Sequence, residues 1–215
     1  MATSLSLEND SSLAQGYIKV NGSTAATLTT IGITGNLVGN VTGNVTGNLT
    51  GSLTQGGSLT LATAQTASGT AVDFTGIPSW AKRITVMFSS VSTNGSSEYI
   101  VRLGTSSGIQ STGYLSSSVL LSTGVSAINE TTGFRVFNNG GASTDVEHGV
   151  MIFSLINSAS GIWAATGSFC QSDSPRNNII SGSKTLSGTL DRIRITTVNG
   201  TDTFDAGTIN ISYEG

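Results

Sequence analysis

A chain of 215 residues has room for one domain of ordinary size and an appendage. Only 10% of it is charged, against about 25% in ordinary soluble proteins, and a net charge of −3 argues against a basic face that takes nucleic acid. The single Cys170 and single His148 exclude a disulfide framework within the chain and any His/Cys zinc cluster.

The first residues, Met1-Ala-Thr-Ser-Leu-Ser-Leu-Glu-Asn-Asp10, carry no basic region and no apolar stretch long enough for a signal peptide. No run anywhere approaches the ~18 apolar residues of a membrane helix, so membrane insertion is not expected. Within residues 1–34, Gly16-Tyr-Ile-Lys-Val-Asn21-Gly22 reads as a strand running into an Asn-Gly turn, a hairpin signal. Too few apolar residues surround it for an independent core. The segment is expected to cap or attach, pairing with its own copies or docking on another protein.

From Lys19 to Asp73 no charged residue intervenes. Inside that stretch runs a tandem tetrapeptide: Gly35-Asn-Leu-Val, Gly39-Asn-Val-Thr, Gly43-Asn-Val-Thr, Gly47-Asn-Leu-Thr and Gly51-Ser-Leu-Thr54. Four residues are two β periods, so an extended chain puts the glycines and Leu37, Val41, Val45, Leu49 and Leu53 on one side. The other side is almost wholly polar. A flexible linker has no reason to hold the aliphatics in register. A lone strand cannot bury them or pair its backbone groups. Three copies wound about an axis resolve both problems, with glycine admitting close backbone approach and the five aliphatics filling the axis. Residues 35–54 are therefore expected to form the shaft of an intertwined β homotrimer, about 65 Å long if fully extended. Residues 55–74 read as a transition.

Residues 75–215 carry alternating strands. Ile84, Val86 and Phe88 share one face; so do Tyr99, Val101 and Leu103, with Ile100 and Arg102 behind. Gly149-Val-Met-Ile-Phe-Ser-Leu-Ile156 is apolar on both faces, which predicts a central strand covered on both sides. Ile193 and Ile195 alternate with arginines, and Ile209, Ile211 and Tyr213 alternate with polar residues. Asn94-Gly, Asn138-Asn-Gly-Gly141 and Asn199-Gly200 mark turns. Such spacing without a convincing helix predicts an antiparallel β-sandwich of jelly-roll type.

Catalytic chemistry has few candidates. His148 follows Asp145 and Glu147, but no nucleophilic serine motif accompanies it, and a structural role is expected. Asp202 and Asp205 offer oxygen ligands of the calcium kind, yet they do not match the twelve-residue calcium loop, and aspartates favour turns for backbone reasons. As glycosidase carboxylates they stand too close together in one loop. Trp80 and Trp163 would stack on a saccharide if exposed and pack into the domain or trimer interface if not. Cys170 reads as a buried thiol or, beside a threefold axis, a cross-link between copies. No catalytic residue, metal site or cofactor is expected.

The repeat run, the stretch Asp73-Phe-Thr-Gly-Ile-Pro-Ser-Trp-Ala-Lys-Arg-Ile-Thr-Val-Met-Phe88 and the ending from Leu190 to Glu214 resemble fibre proteins of tailed bacteriophages. The resemblance covers residues 35–215. It implies a homotrimeric, non-enzymatic protein of the virion surface, made in the host cytoplasm. The N-terminal segment would bind another virion protein, and the distal domain would meet a host-surface receptor, a saccharide among the candidates. A shorter chain than long tail fibres have keeps a capsid-decorating head fibre as the alternative. A polysaccharide-degrading tailspike has little room for its groove.

Overall fold

The computed structural model describes residues 59–137, 143–172 and 176–215, and, for the backbone alone, residues 5–10, 15–20, 23–29 and 32–34. The five shaft aliphatics Leu37, Val41, Val45, Leu49 and Leu53, and the Asn138–Gly141 turn, lie outside the described residues. The chain divides into two compact units, Met1–Gly51 and Ser52–Gly215. In the first, strands β1 (Leu5–Asp10), β2 (Gln15–Val20), β3 (Ser23–Thr29) and β4 (Gly32–Thr34) form one antiparallel sheet in sequence order. Val20 stands opposite Ser23, the register that a two-residue Asn21-Gly22 connection demands.

The second unit is all-β among its described residues and contains two sheets. Its strands are β5 (Thr60–Leu61), β6 (Gln65–Thr66), β7 (Ala71–Thr75), β8 (Arg83–Thr93), β9 (Tyr99–Thr105), β10 (Gly108–Ile109), β11 (Tyr114–Leu121), β12 (Val125–Glu130), β13 (Phe134–Arg135), β14 (Glu147–Asn157), β15 (Ile162–Gln171), β16 (Asn177–Thr185), β17 (Arg192–Thr197) and β18 (Phe204–Glu214). The smaller sheet has the order β10-β9-β17-β7, with β13 also on β9. The larger has nine strands in the order β12-β11-β16-β15-β14-β8-β18-β5, with β6 also on β18. The chain moves repeatedly from one sheet to the other.

One hydrophobic core joins the sheets. The larger sheet contributes Ile84, Val86, Met151, Phe153, Ile180, Ile209 and Ile211; the smaller contributes Val72, Phe74, Val101, Leu103, Ile193 and Ile195. Each such side chain stabilises the fold by about 1.5–3 kcal/mol. Edge-to-face pairs fill the wider gaps, with Phe88 and Phe169 at 5.1 Å and Tyr114 and Phe134 at 5.1 Å between ring centres. The strand periodicity of β8, β17 and β18 therefore reads out directly as core, while in β9 Ile100, on the face behind Val101, is buried as well.

Where β8 meets β18, the ladder slips. Ser90 adopts φ 55° and Gly207 adopts φ 93°, and the register shifts between Ala206 and Thr208. A Cβ on Gly207 would stand 2.3 Å from the Ser90 carbonyl oxygen, so only glycine fits there. The bulge resets the alternation of β8, so that Val91 returns to the core.

The expectation for residues 149–156 is corrected. Strand β14 is central, paired to β8 and β15, but only one face is covered. Met151 and Phe153 are fully buried, whereas Val150 is 42% and Ile156 65% exposed. The aliphatics on its second face look outward from the larger sheet.

Candidate functional site

Three loops of the second unit meet around a cleft of about 290 Å³. They are the segment leading into β8 from Ile77, the β14–β15 hairpin tip, and residues 186–190 ahead of β17. Ala81 N–H donates to the Pro78 carbonyl at 3.0 Å within the first loop, and backbone bonds from Leu155 N–H to Lys82 at 2.8 Å and from Leu186 N–H to Gly161 at 3.0 Å tie the loops together. At the hairpin tip the Asn157 Oδ1 accepts from the N–H groups of Ala159 and Ser160, at 2.9 and 3.1 Å. This Asx turn lets the chain reverse before Gly161, whose φ is 67°.

Trp163, Leu155, Leu186 and Leu190 form an apolar floor. Ser79, Ser158, Ser160, Ser187, Thr189 and Lys82 line it as well, and no Asp or Glu does. An apolar base under hydroxyl groups and one cation suits a ligand rich in hydroxyls and neutral or anionic in charge.

The sequence candidates fall elsewhere. Trp163 is only 3% exposed, so it supports the cleft from the core instead of offering a stacking face. Trp80 is 36% exposed and tilts against Tyr213 with ring centres 5.6 Å apart. Glu147 is buried, while His148, the next residue of β14, lies on the opposite face with its Nδ1 accepting from Ser90 N–H at 3.2 Å. Strand alternation thus separates the imidazole from that carboxylate. Cys170 is a free, exposed thiol opposite His148 in the β14–β15 ladder, which corrects the expectation of a buried one.

Asp202 and Asp205 serve the loops. Asp202 accepts from Ser97 N–H at 2.8 Å and from the Asn199 side-chain amide at 2.7 Å. These bonds, with the Asn199 amide first, hold its carboxyl below the usual carboxylate range. It sits so closely on Gly95 that a Cβ there would meet its oxygen at 2.0 Å. Asn94 and Thr203 exchange a second pair of bonds, each 2.9 Å, so the β8–β9 and β17–β18 turns are laced together. Asp205 accepts from the Ser92 hydroxyl. Among the described residues no group of His, Cys, Asp and Glu is arranged to hold a metal ion.

An ion cluster has no counterpart in the sequence reading. Arg135, with 10% of its side chain exposed, lies 2.6 Å from Glu98 and 3.4 Å from Glu130. Glu130 also accepts from the N–H groups of Thr131 and Thr132 and from the Thr132 hydroxyl. The partners come from separate strands and loops, so no local spacing announces them.

No protein-family model, curated protein or solved structure matches the chain.

Proposed function

We propose that the chain is a homotrimeric structural fibre of a tailed-bacteriophage virion. In this reading residues 1–34 anchor it to another virion protein, residues 35–54 form the intertwined β shaft, and the distal unit is a jelly-roll-type sandwich presented to the host surface. It binds without cleaving, and the cleft under Lys82 is the part of the domain suited to a receptor saccharide.

The observation that carries the reading is a pair of uncovered leucines just past the repeat. The shaft aliphatics occupy odd positions of the sequence, and so do Leu59 and Leu61, with Gln55 and Gly57 between. Both leucines are left largely bare in the single chain, at 68% and 64% exposure. Exposed aliphatics so placed are what copies of the same chain would bury. Three chains of 21.8 kDa give 65.4 kDa by light scattering; a monomer sinks the fibre. Gold-labelled antibody raised against residues 75–215 then locates the protein on whole phage particles. Gold at the tail supports receptor attachment, gold over the capsid makes it a head fibre, and bare virions refute the assignment.

A further inference from the structure

The outer face of the nine-stranded sheet is broad and carries few charges. One row of directly opposed residues crosses it: Val119 faces Ile179, Ile179 faces Ser168, Ser168 faces Val150, and Val150 faces Met87. The next row runs Ser117, Ser181, Thr166, Ile152 and Thr85. Val150 and Ile179 are 42% and 47% exposed. The exposed charges of β8 and β18 are Arg83 and Glu214, which pair with each other at 3.3 Å on one border, and Asp205 near the other end of β18, which accepts from the Ser92 hydroxyl.

We infer that this face is the contact between copies of the distal domain, an inference that rests on the trimeric reading. The geometry favours a second copy over any other occupant. A surface that meets its own copies must not carry one sign of charge, because like charges would then oppose each other. This face satisfies that condition, and an anionic or cationic partner would find nothing to read on it. Its extent also suits an interface. Eight strands about 4.8 Å apart and some 20 Å of strand give about 670 Å², near the ~800 Å² that each partner contributes to a standard interface.

The aliphatic strip from β11 to β8 lies within this face, with β12 on one side of it and β18 and β5 on the other. In this contact Val119, Ile179, Val150, Ile152 and Met87 meet the neighbouring copies, and the small Ser and Thr side chains between them let the sheets approach.

Cys170 reports on this face, since it lies on the outward side one row beyond Val150, opposite His148 and Asn177. The test is maleimide labelling of the full-length protein beside its mass by light scattering. In a wild-type trimer Cys170 should label at least about tenfold more slowly than in the urea-unfolded chain, because thiol reactivity follows exposure. Ile179→Arg and Val150→Arg, which replace outward side chains, should restore fast labelling with the circular dichroism of the fold unchanged. They should do so even if the shaft keeps the chains together. A wild-type trimer whose Cys170 labels as fast as the unfolded chain overturns this interface and leaves the trimer standing. Slow labelling that neither variant relieves overturns it too. A wild-type monomer overturns both.

Discussion

Removing the guanidinium between Glu98 and Glu130 probes a largely buried charge cluster. Arg135→Met keeps most of the stem volume and deletes the cation that stands 2.6 Å from one carboxylate and 3.4 Å from the other. Breaking a buried ion pair by taking one partner costs about 3–5 kcal/mol. Glu130 keeps three bonds from Thr131 and Thr132, so the loss falls mainly on Glu98 and belongs at the lower end, about 3 kcal/mol. For a domain of this size that is a fall of about 6–12 °C in Tm. The pH dependence gives a second reading. Burial alone would raise the Glu130 pKa, but the Thr132 hydroxyl, the backbone N–H groups and Arg135 outweigh it and hold the carboxyl below its ordinary 4.5. A depressed pKa stabilises the fold above that ordinary value and ceases to do so as pH falls through the folded one. Urea unfolding of wild type and variant should therefore differ most at pH 7, and the gap should narrow as pH falls through the lowered Glu130 value. A gap under about 1 kcal/mol at pH 7 would refute this account.

Other outcomes follow from single contacts. Gly207→Ala should cost more than about 2 kcal/mol because its Cβ meets the Ser90 carbonyl, whereas Gly200→Ala, with φ 69° and open space, should cost about 1 kcal/mol; urea melts compare the two. Trp163→Ala should destabilise by about 3–5 kcal/mol as a core residue, and Trp80→Ala by clearly less; equal losses would place Trp80 in the core as well. Asp202→Ala should speed hydrogen exchange at the Ser97 amide, and in wild type that protection should persist above the ordinary carboxyl value of 3.8 and fade as pH drops through the lower folded one. Val45→Asp sets three charges on the proposed axis and should abolish or severely weaken assembly in sedimentation runs; an unaltered trimer would mean residues 35–54 are a linker.

Strands were legible in the sequence wherever one face is apolar and the other polar. Strands β8, β17 and β18 obey that rule, and their inward rows are the core. Strands β11 and β16 break it. Their inward faces include Ser116, Ser118, Asn178 and Lys184, all buried, so hydropathy alternates too weakly to declare a strand. Lys184 is accommodated by lying over the Tyr114 ring at 5.2 Å, a contact that no spacing predicts. Strand β14 errs in the other direction. Its second aliphatic row resembles a face buried in the same chain, because hydropathy reports that a surface avoids water and not which surface covers it. The cleft was illegible for a simpler reason: its loops lie far apart in sequence and consist of small hydroxyl residues that also suit any turn.

The attachment of β5 and β6 gives the distal unit a graded response to tension. Each is held to β18 by two register positions, Leu61 and Thr60 in one case and Thr66 and Gln65 in the other. Strand β7 is held to β17 by five, from Thr75 to Ala71, with Val72 and Phe74 sunk in the core. A pull at residue 59 therefore peels the two short strands first and frees about 24 Å of chain, from Thr60 to Thr66 at ~3.4 Å per residue, before it loads the buried Ala67 and the bridge between Gly69 and Phe204. The entry to the domain works as a mechanical fuse, yielding length while the folded body and its cleft stay whole.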